Sequence, residues 1–86
     1  MSEGIGKANE KMVAERYRKQ GYRVLNVNKK GFPDLIVLEG IEVKFLVEVK
    51  GGKHKVHPFQ EEIHKELEEM GFQVKIIRIE QNRVSE

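Results

Sequence analysis

Phe45-Leu46-Val47-Glu48-Val49-Lys50 is the stretch on which the reading of this chain turns. Four apolar residues around one acid and one base have the composition of a strand core, and burying unpaired charge there is costly. A side-chain period of two puts Glu48 and Lys50 on one face. Upstream, Gly31-Phe32-Pro33-Asp34 opens a second apolar run, Leu35 to Leu38. Something must compensate these charges, and an acidic cluster around a divalent cation would do so.

The rest of the chain arranges itself around these two runs. Residues 7–20 read as a helix, with Ala8, Met12, Val13 and Tyr17 close to helical spacing and Gly21 as its stop. Tyr22 to Val27 reads as a strand, and 28–33 as a loop. Leu35 to Leu38 is a short buried strand, Glu39-Gly40 turns the chain, and Ile41 to Lys50 runs back as a long one. Gly51-Gly52 breaks it. A second helix begins at Pro58, suited to the first helical position, and runs to Met70 with Phe59, Ile63, Leu67 and Met70 as its apolar stripe. After Gly71, Gln73 to Ile79 forms a last strand, and 80–86 reads as a frayed tail. The order αβββαβ, with a helical crossover before the last strand, predicts an α/β fold with a mixed four-stranded sheet flanked by helices.

Along the long strand, Ile41, Val43, Phe45, Val47 and Val49 face one way, and Glu42, Lys44, Leu46, Glu48 and Lys50 the other. Pairing Leu38 with Lys44 sets Asp34 opposite Glu48, through a five-residue connection over 39–43. A tight two-residue turn instead opposes Asp34 to Phe45. The first register brings two carboxylates within cross-strand distance. On adjacent strands they can hold Mg²⁺, which keeps several waters and suits phosphate substrates. Lys50 would point at the same place, to stabilise a pentavalent phosphate or help deprotonate an attacking water.

Eighty-six residues make one small domain over 1–86, its core spanning about 7–79. There is no cysteine, so neither a disulfide framework nor a thiolate zinc site is possible. Met1 to Lys7 lack an apolar signal core and no segment approaches membrane-span length, so cytoplasmic residence is expected. The net charge of +2 decides nothing, but its distribution does. Lys29, Lys30, Lys50, Lys53, His54, Lys55 and His57 gather around the expected site as a phosphate-facing surface. His57 and His64 are seven apart and no His-x-x-x-His pair exists, so no zinc site is expected. Tyr17, Tyr22, Phe59 and Phe72 read as core; Phe32, in the loop before Asp34, is a core residue or a DNA contact.

The ordered set resembles the PD-(D/E)XK nucleases: Pro33-Asp34, thirteen intervening residues, then Glu48-Val49-Lys50. Within that superfamily the chain is most similar to the VRR-NUC domains. Gly31-Phe32-Pro33-Asp34-Leu35 matches their Gly-x-Pro-Asp-Leu element, Glu48 to Gly51 their Glu-Val-Lys-Gly element, and Gln60 a glutamine early in the following helix. Leu67, Gly71 and Phe72 match the step into the last strand. A glutamate in the first helix, shared with the related archaeal Holliday junction resolvases, is best matched by Glu10, with Glu3 and Glu15 as alternatives nearby. Larger members of that family carry an appended DNA-binding domain, and none is expected in these 86 residues.

The resemblance implies a restriction-endonuclease-like fold and a Mg²⁺-dependent endonuclease, with Mn²⁺ as substitute. It implies metal ligation by Asp34, Glu48, the Val49 carbonyl and Glu10, with Lys50 acting on the water and the transition state and Gln60 orienting Lys50 or the water. Lys29, Lys30, Lys53, His54 and Lys55 are the expected contacts to DNA, branched DNA such as a four-way junction being the preferred target. A homodimer would pair two active sites and enlarge a thin core, through the exposed side of the first helix or through Val74, Ile76, Ile77 and Ile79. A non-catalytic nucleic-acid-binding module on the same fold, or a purely structural α/β domain, are the alternatives.

Overall fold

The computed structural model describes residues 2–80 and 83–85, with side chains over 7–80 and at Val84. Helix α1 (Ser2–Lys19) is followed by strands β1 (Arg23–Asn26), β2 (Leu35–Glu39) and β3 (Glu42–Gly51). Helix α2 (Pro58–Glu69) then crosses to β4 (Val74–Glu80), and β5 (Arg83–Ser85) ends the described chain. The strands lie side by side in chain order. β3 and β4 are parallel, joined through α2, while the other neighbours are antiparallel.

The four strands read from the sequence thus form one mixed sheet, and a fifth extends it. Residues 83–85 are not part of a frayed tail: Val84 pairs with Ile79 and packs partly buried against the core. They cover an edge whose N–H and C=O groups would otherwise be unpaired. β4 is therefore no open edge for a second copy, and Ile77 and Ile79 are buried within the core. Residues 81, 82 and 86 lie outside the described ones.

One face of the sheet receives α1. Val13, Ala14 and Tyr17 pack on Val24, Leu35, Val37, Phe45, Val47, Ile77 and Ile79. Tyr17, Tyr22 and Phe45 meet edge to face, with centroids 5.3–6.2 Å apart. α1 starts five residues earlier than its apolar spacing indicates and ends with two paired bonds, Tyr22 N–H to the Tyr17 carbonyl and Gly21 N–H to that of Arg18. α2 closes in the same way, Phe72 N–H donating to Leu67 and Gly71 N–H to Glu68.

The β2–β3 hairpin combines features that the sequence presents as alternatives. Its turn is tight, over Gly40-Ile41, and Glu39 pairs with Glu42. Ile41 is consequently not in the strand but 94% exposed at the turn. Leu38 pairs with Val43 and Val37 with Phe45, so Lys44 is an extra residue in a β-bulge. Beyond it Leu35 pairs with Val47, which sets Asp34 opposite Glu48. The bulge thus restores the register that brings the carboxylates together, without the five-residue connection. It also resets the alternation: Val43, across from Leu38, lies on the face opposite to Phe45.

α2 lies against the other face, rotated from its expected stripe. Its buried residues are His64 and Leu67, whereas Met70 is 71% exposed and Phe59 43%. The first turn of α2 is fastened to the 28–33 loop at Gly31. This buried glycine has φ +85°, and a Cβ there would meet Ile63 Cδ1 at 2.5 Å and the Phe59 ring at 3.1 Å. Gly31→Ala is expected to lower stability by about 2 kcal/mol or more, from left-handed backbone strain plus overpacking. The fall is read as a lower denaturant midpoint, and an unchanged midpoint would show that α2 does not press on this loop.

Candidate active site

The site lies at the end of β2 and β3 toward which the Pro33-Asp34 step points. Pro33 is buried and Asp34 enters β2 with its carbonyl accepting a bond from Val27 N–H at 2.8 Å. Its carboxylate Oδ2 accepts the Val49 N–H at 2.7 Å, tying the start of β2 to the end of β3. Glu48 is 2% exposed, and its carboxyl hydrogen-bonds to that of Asp34. Burial pushes Glu48 up to about 8, with the Asp34 charge and the shared hydrogen bond adding to the shift, and Lys50 opposing it.

Each of the other Glu48 contacts has its own oxygen. His64 Nε2 is 3.3 Å from Oε1, and Lys50 Nζ is 3.9 Å from Oε2. Burial also pushes the His64 imidazole down, with the Glu68 carboxylate opposing. With Glu48 held protonated and His64 neutral, their contact is a hydrogen bond rather than an ion pair. Lys50 Nζ donates to Gln60 Oε1 at 3.1 Å, and the same oxygen accepts the His57 N–H at 3.0 Å, closing the first turn of α2. The Glu48–Lys50 pair is no edge-strand surface bridge: β3 lies between β2 and β4, and the Lys50 side chain is 14% exposed.

Glu10, half-buried on α1, joins this group electrostatically. Its carboxyl is pushed up by burial first and then by the Asp34 charge, against the opposing Lys7, and it in turn raises Glu48. A side chain at Gly51 would begin 3.2 Å from Asn9 Nδ2, so α1 reaches the end of β3 one residue from Glu10. Glu15 is exposed, and the Glu3 side chain lies outside the described residues. Among the described residues no three acidic or imidazole side chains are grouped closely enough to hold a metal ion. The donor chemistry nevertheless fits one. Two oxygen-only ligands are pressed together, one of them deeply buried, and a hard divalent cation would replace the proton they share.

The basic residues Lys29, Lys30, Lys53, His54 and Lys55 are all exposed, on two loops that flank the start of α2. Lys30 Nζ lies 5.9 Å over the Phe59 ring, on which His57 stacks, so Phe59 belongs to this surface rather than to the core. Phe32 is half-buried. Arg78, not anticipated from the sequence, holds the second loop: its Nη1 donates to the His54 carbonyl at 2.6 Å and to that of Gly52 at 3.4 Å. A cleft of about 430 Å³ beside it, lined by Lys55, Glu61, His64, Glu68, Ile76 and Arg78, meets the carboxylates only through His64.

His64 is the other residue missed. A search for histidine pairs passes over it, whereas Gln60-x-x-x-His64 would have placed it one helical turn from an expected site residue. The VRR-NUC domain profile matches residues 3–81. The chain belongs to the VRR-NUC domain family, within the PD-(D/E)XK nuclease superfamily. No curated protein matches it. Membership makes this a nuclease-type domain with DNA as the implied partner, in a superfamily that typically uses divalent metals. Among the described residues no helix is long and apolar enough to cross a membrane.

The Glu48 shift has a definite sign for the VRR-NUC domain without metal. A carboxyl raised in the folded state contributes stability that is full below its unfolded value, near 4.5, and lost as pH rises toward about 8. The lowered His64 acts oppositely, but only below its unfolded value of 6.5. In chelator the melting temperature is therefore expected to fall from pH 6.5 to 8. Replacing Glu48 by Gln should flatten that fall, and a parent protein whose melting temperature rises over this interval would contradict the carboxyl arrangement.

Proposed function

We propose that this domain is a Mg²⁺-dependent endodeoxyribonuclease, with Mn²⁺ able to substitute, that hydrolyses phosphodiester bonds in branched DNA such as a four-way junction. The observation that carries the reading is the Asp34–Glu48 carboxyl pair, Glu48 buried and Asp34 half-buried, with Lys50 beside it. Asp34 and Glu48 would hold the ion, with the Val49 carbonyl and Glu10 completing or supporting the set. A bound ion would supply charge neutralisation at the phosphate and a more acidic water.

The chain's own groups do the rest. The Val49 N–H occupies one Asp34 oxygen and leaves the other for ligation. Lys50, held by Gln60 at 3.1 Å, presents a positive charge that stabilises the phosphate as negative charge builds in the transition state, or takes part in deprotonating the water. Gln60 is bound through its oxygen, so it positions Lys50. Lys29, Lys30, Lys53, His54 and Lys55 would receive the DNA backbone on either side of the helix start. Cytoplasmic residence accompanies this reading.

A preference for branched DNA rests on the resemblance to junction resolvases, as does a homodimer that pairs two sites. With Ile77 and Ile79 in the core, β4 offers such a dimer Ile76, 38% exposed. Leu25 and Val43, 50% and 38% exposed, are the apolar residues that β1 and β3 present beside it. Light scattering at micromolar concentration is expected to give a dimer or larger species.

Purified protein is expected to cut a four-way junction faster than linear duplex of matched sequence, with Mg²⁺ or Mn²⁺ and not with chelator. Asp34→Ala, Glu48→Ala and Lys50→Ala should each lose about 100-fold or more in rate while remaining folded. Three variants cutting as well as the parent would defeat the site assignment. DNA binding without any cleavage would leave the non-catalytic module, and equal rates on both substrates would remove the structural preference.

A further inference from the structure

The nuclease reading uses Asp34, Glu48, Lys50 and Gln60 and leaves a buried imidazole unexplained. His64 is 6% exposed, sits in the middle of α2, and touches Glu48, itself the most buried charged residue among those described. A histidine is an expensive choice for a sheet-facing helix position, because its two ring nitrogens need partners that leucine does not.

The geometry of the two elements shows what it does there. Residues four apart on a helix are separated by about 6 Å along the axis. Residues two apart on a strand are separated by about 6.6–6.8 Å. A helix antiparallel to a strand can therefore set i and i+4 against j and j−2. α2 does this over β3: Gln60 meets Lys50 at 3.1 Å, and His64 meets Glu48 at 3.3 Å. One helix face thus carries two polar rungs, one for each charged residue of Glu48-Val49-Lys50. Beyond these rungs the strand continues with Leu46 and the helix, three residues after His64, with Leu67, both buried.

We infer that His64 is a positioning residue for Glu48: its Nε2 holds the Glu48 carboxyl in a fixed orientation for ligation, as Gln60 holds Lys50. The inference deepens the proposed function and rests on it for the role of Glu48 as ligand, but the contact stands without metal. In the ligating state Glu48 is a carboxylate, so Nε2 must be the donor. The bond then lies at Oε1, while the other oxygen faces Lys50. A carboxylate so oriented loses less freedom on binding an ion, which is how outer partners raise metal affinity.

Two measurements on the full chain test this. The first needs no metal: a double-mutant cycle of His64→Leu and Glu48→Ala by chemical denaturation in chelator. The two effects on the folding equilibrium constant are expected to depart from independence by at least about threefold. The second is Mn²⁺ affinity by titration calorimetry. His64→Asn, whose amide cannot reach where Nε2 lies, should weaken it about 10-fold to 100-fold. His64→Gln, whose amide nitrogen can, should stay close to the parent.

Independent effects in the cycle, or equal Mn²⁺ affinity for the Asn variant and the parent, overturn the inference. Coupling in the cycle together with no Mn²⁺ binding by the parent would support the His64–Glu48 rung and remove the metal reading instead. If His64→Leu does not fold, the Asn and Gln variants carry the comparison, since a merely space-filling role predicts no difference between them in metal affinity.

Discussion

Two carboxyl groups side by side at the end of a central strand pair are the constraint around which this structure is arranged. Glu48 is almost entirely removed from water and bonded to Asp34. In such a place both cannot ionise unaided, because the charged forms lose hydration and repel. A proton satisfies the pair in the free protein, and the divalent cation of the proposed function would take its place. The fold accepts this burden because the pair sits where three elements converge: the start of β2, the end of β3, and the sheet-facing side of α2.

Each of those elements is shaped by the requirement. The bulge at Lys44 lets a tight two-residue turn coexist with the register that opposes Asp34 to Glu48; without the extra residue, the turn would set Asp34 against Val47. The Val49 N–H fixes Asp34, and α2 turns a polar face to the sheet where an ordinary amphipathic helix would turn leucines. That face takes Gln60 to Lys50 and His64 to Glu48, while Phe59 is displaced outward to join Lys30 and His57 on the basic side. The apolar side of the sheet, under α1, carries the packing on Val13, Ala14 and Tyr17, and α1 reaches the carboxyl pair only near its start, through Glu10. The main apolar packing and the buried polar contacts thus lie largely on opposite faces of one sheet.

What could be read from the sequence follows from which signals are local. Gly21 and Gly71 end their helices through bonds made within a few residues, so their positions were legible. The alternation of β3 from Phe45 to Lys50 was legible because apolar and charged residues differ there at every step. The bulge was not, since an extra residue in a strand shows only against its partner. The α2 stripe was misplaced for a related reason: hydropathy assigns Phe59 and Met70 to the core and Gln60 and His64 to solvent. Buried charges across the sheet reverse that choice. β5 escaped because a strand of three residues has almost no pattern of its own, and Arg78 because its partners are backbone carbonyls 24 and 26 residues away. Asp34, Glu48, Lys50 and Gln60 came together as expected because the ordered motifs carry more information than their periodicity.

The measurement that bears most directly on this account is a crystal structure of the protein soaked in Mn²⁺, with the ion located by its anomalous signal. The account predicts one peak between Asp34 and Glu48, about 2.0–2.3 Å from an oxygen of each carboxylate. Glu48 should remain bonded to His64, and Lys50 to Gln60. A strong peak elsewhere on the molecule, or none at millimolar Mn²⁺ with the two carboxyls still sharing their hydrogen bond, would contradict it.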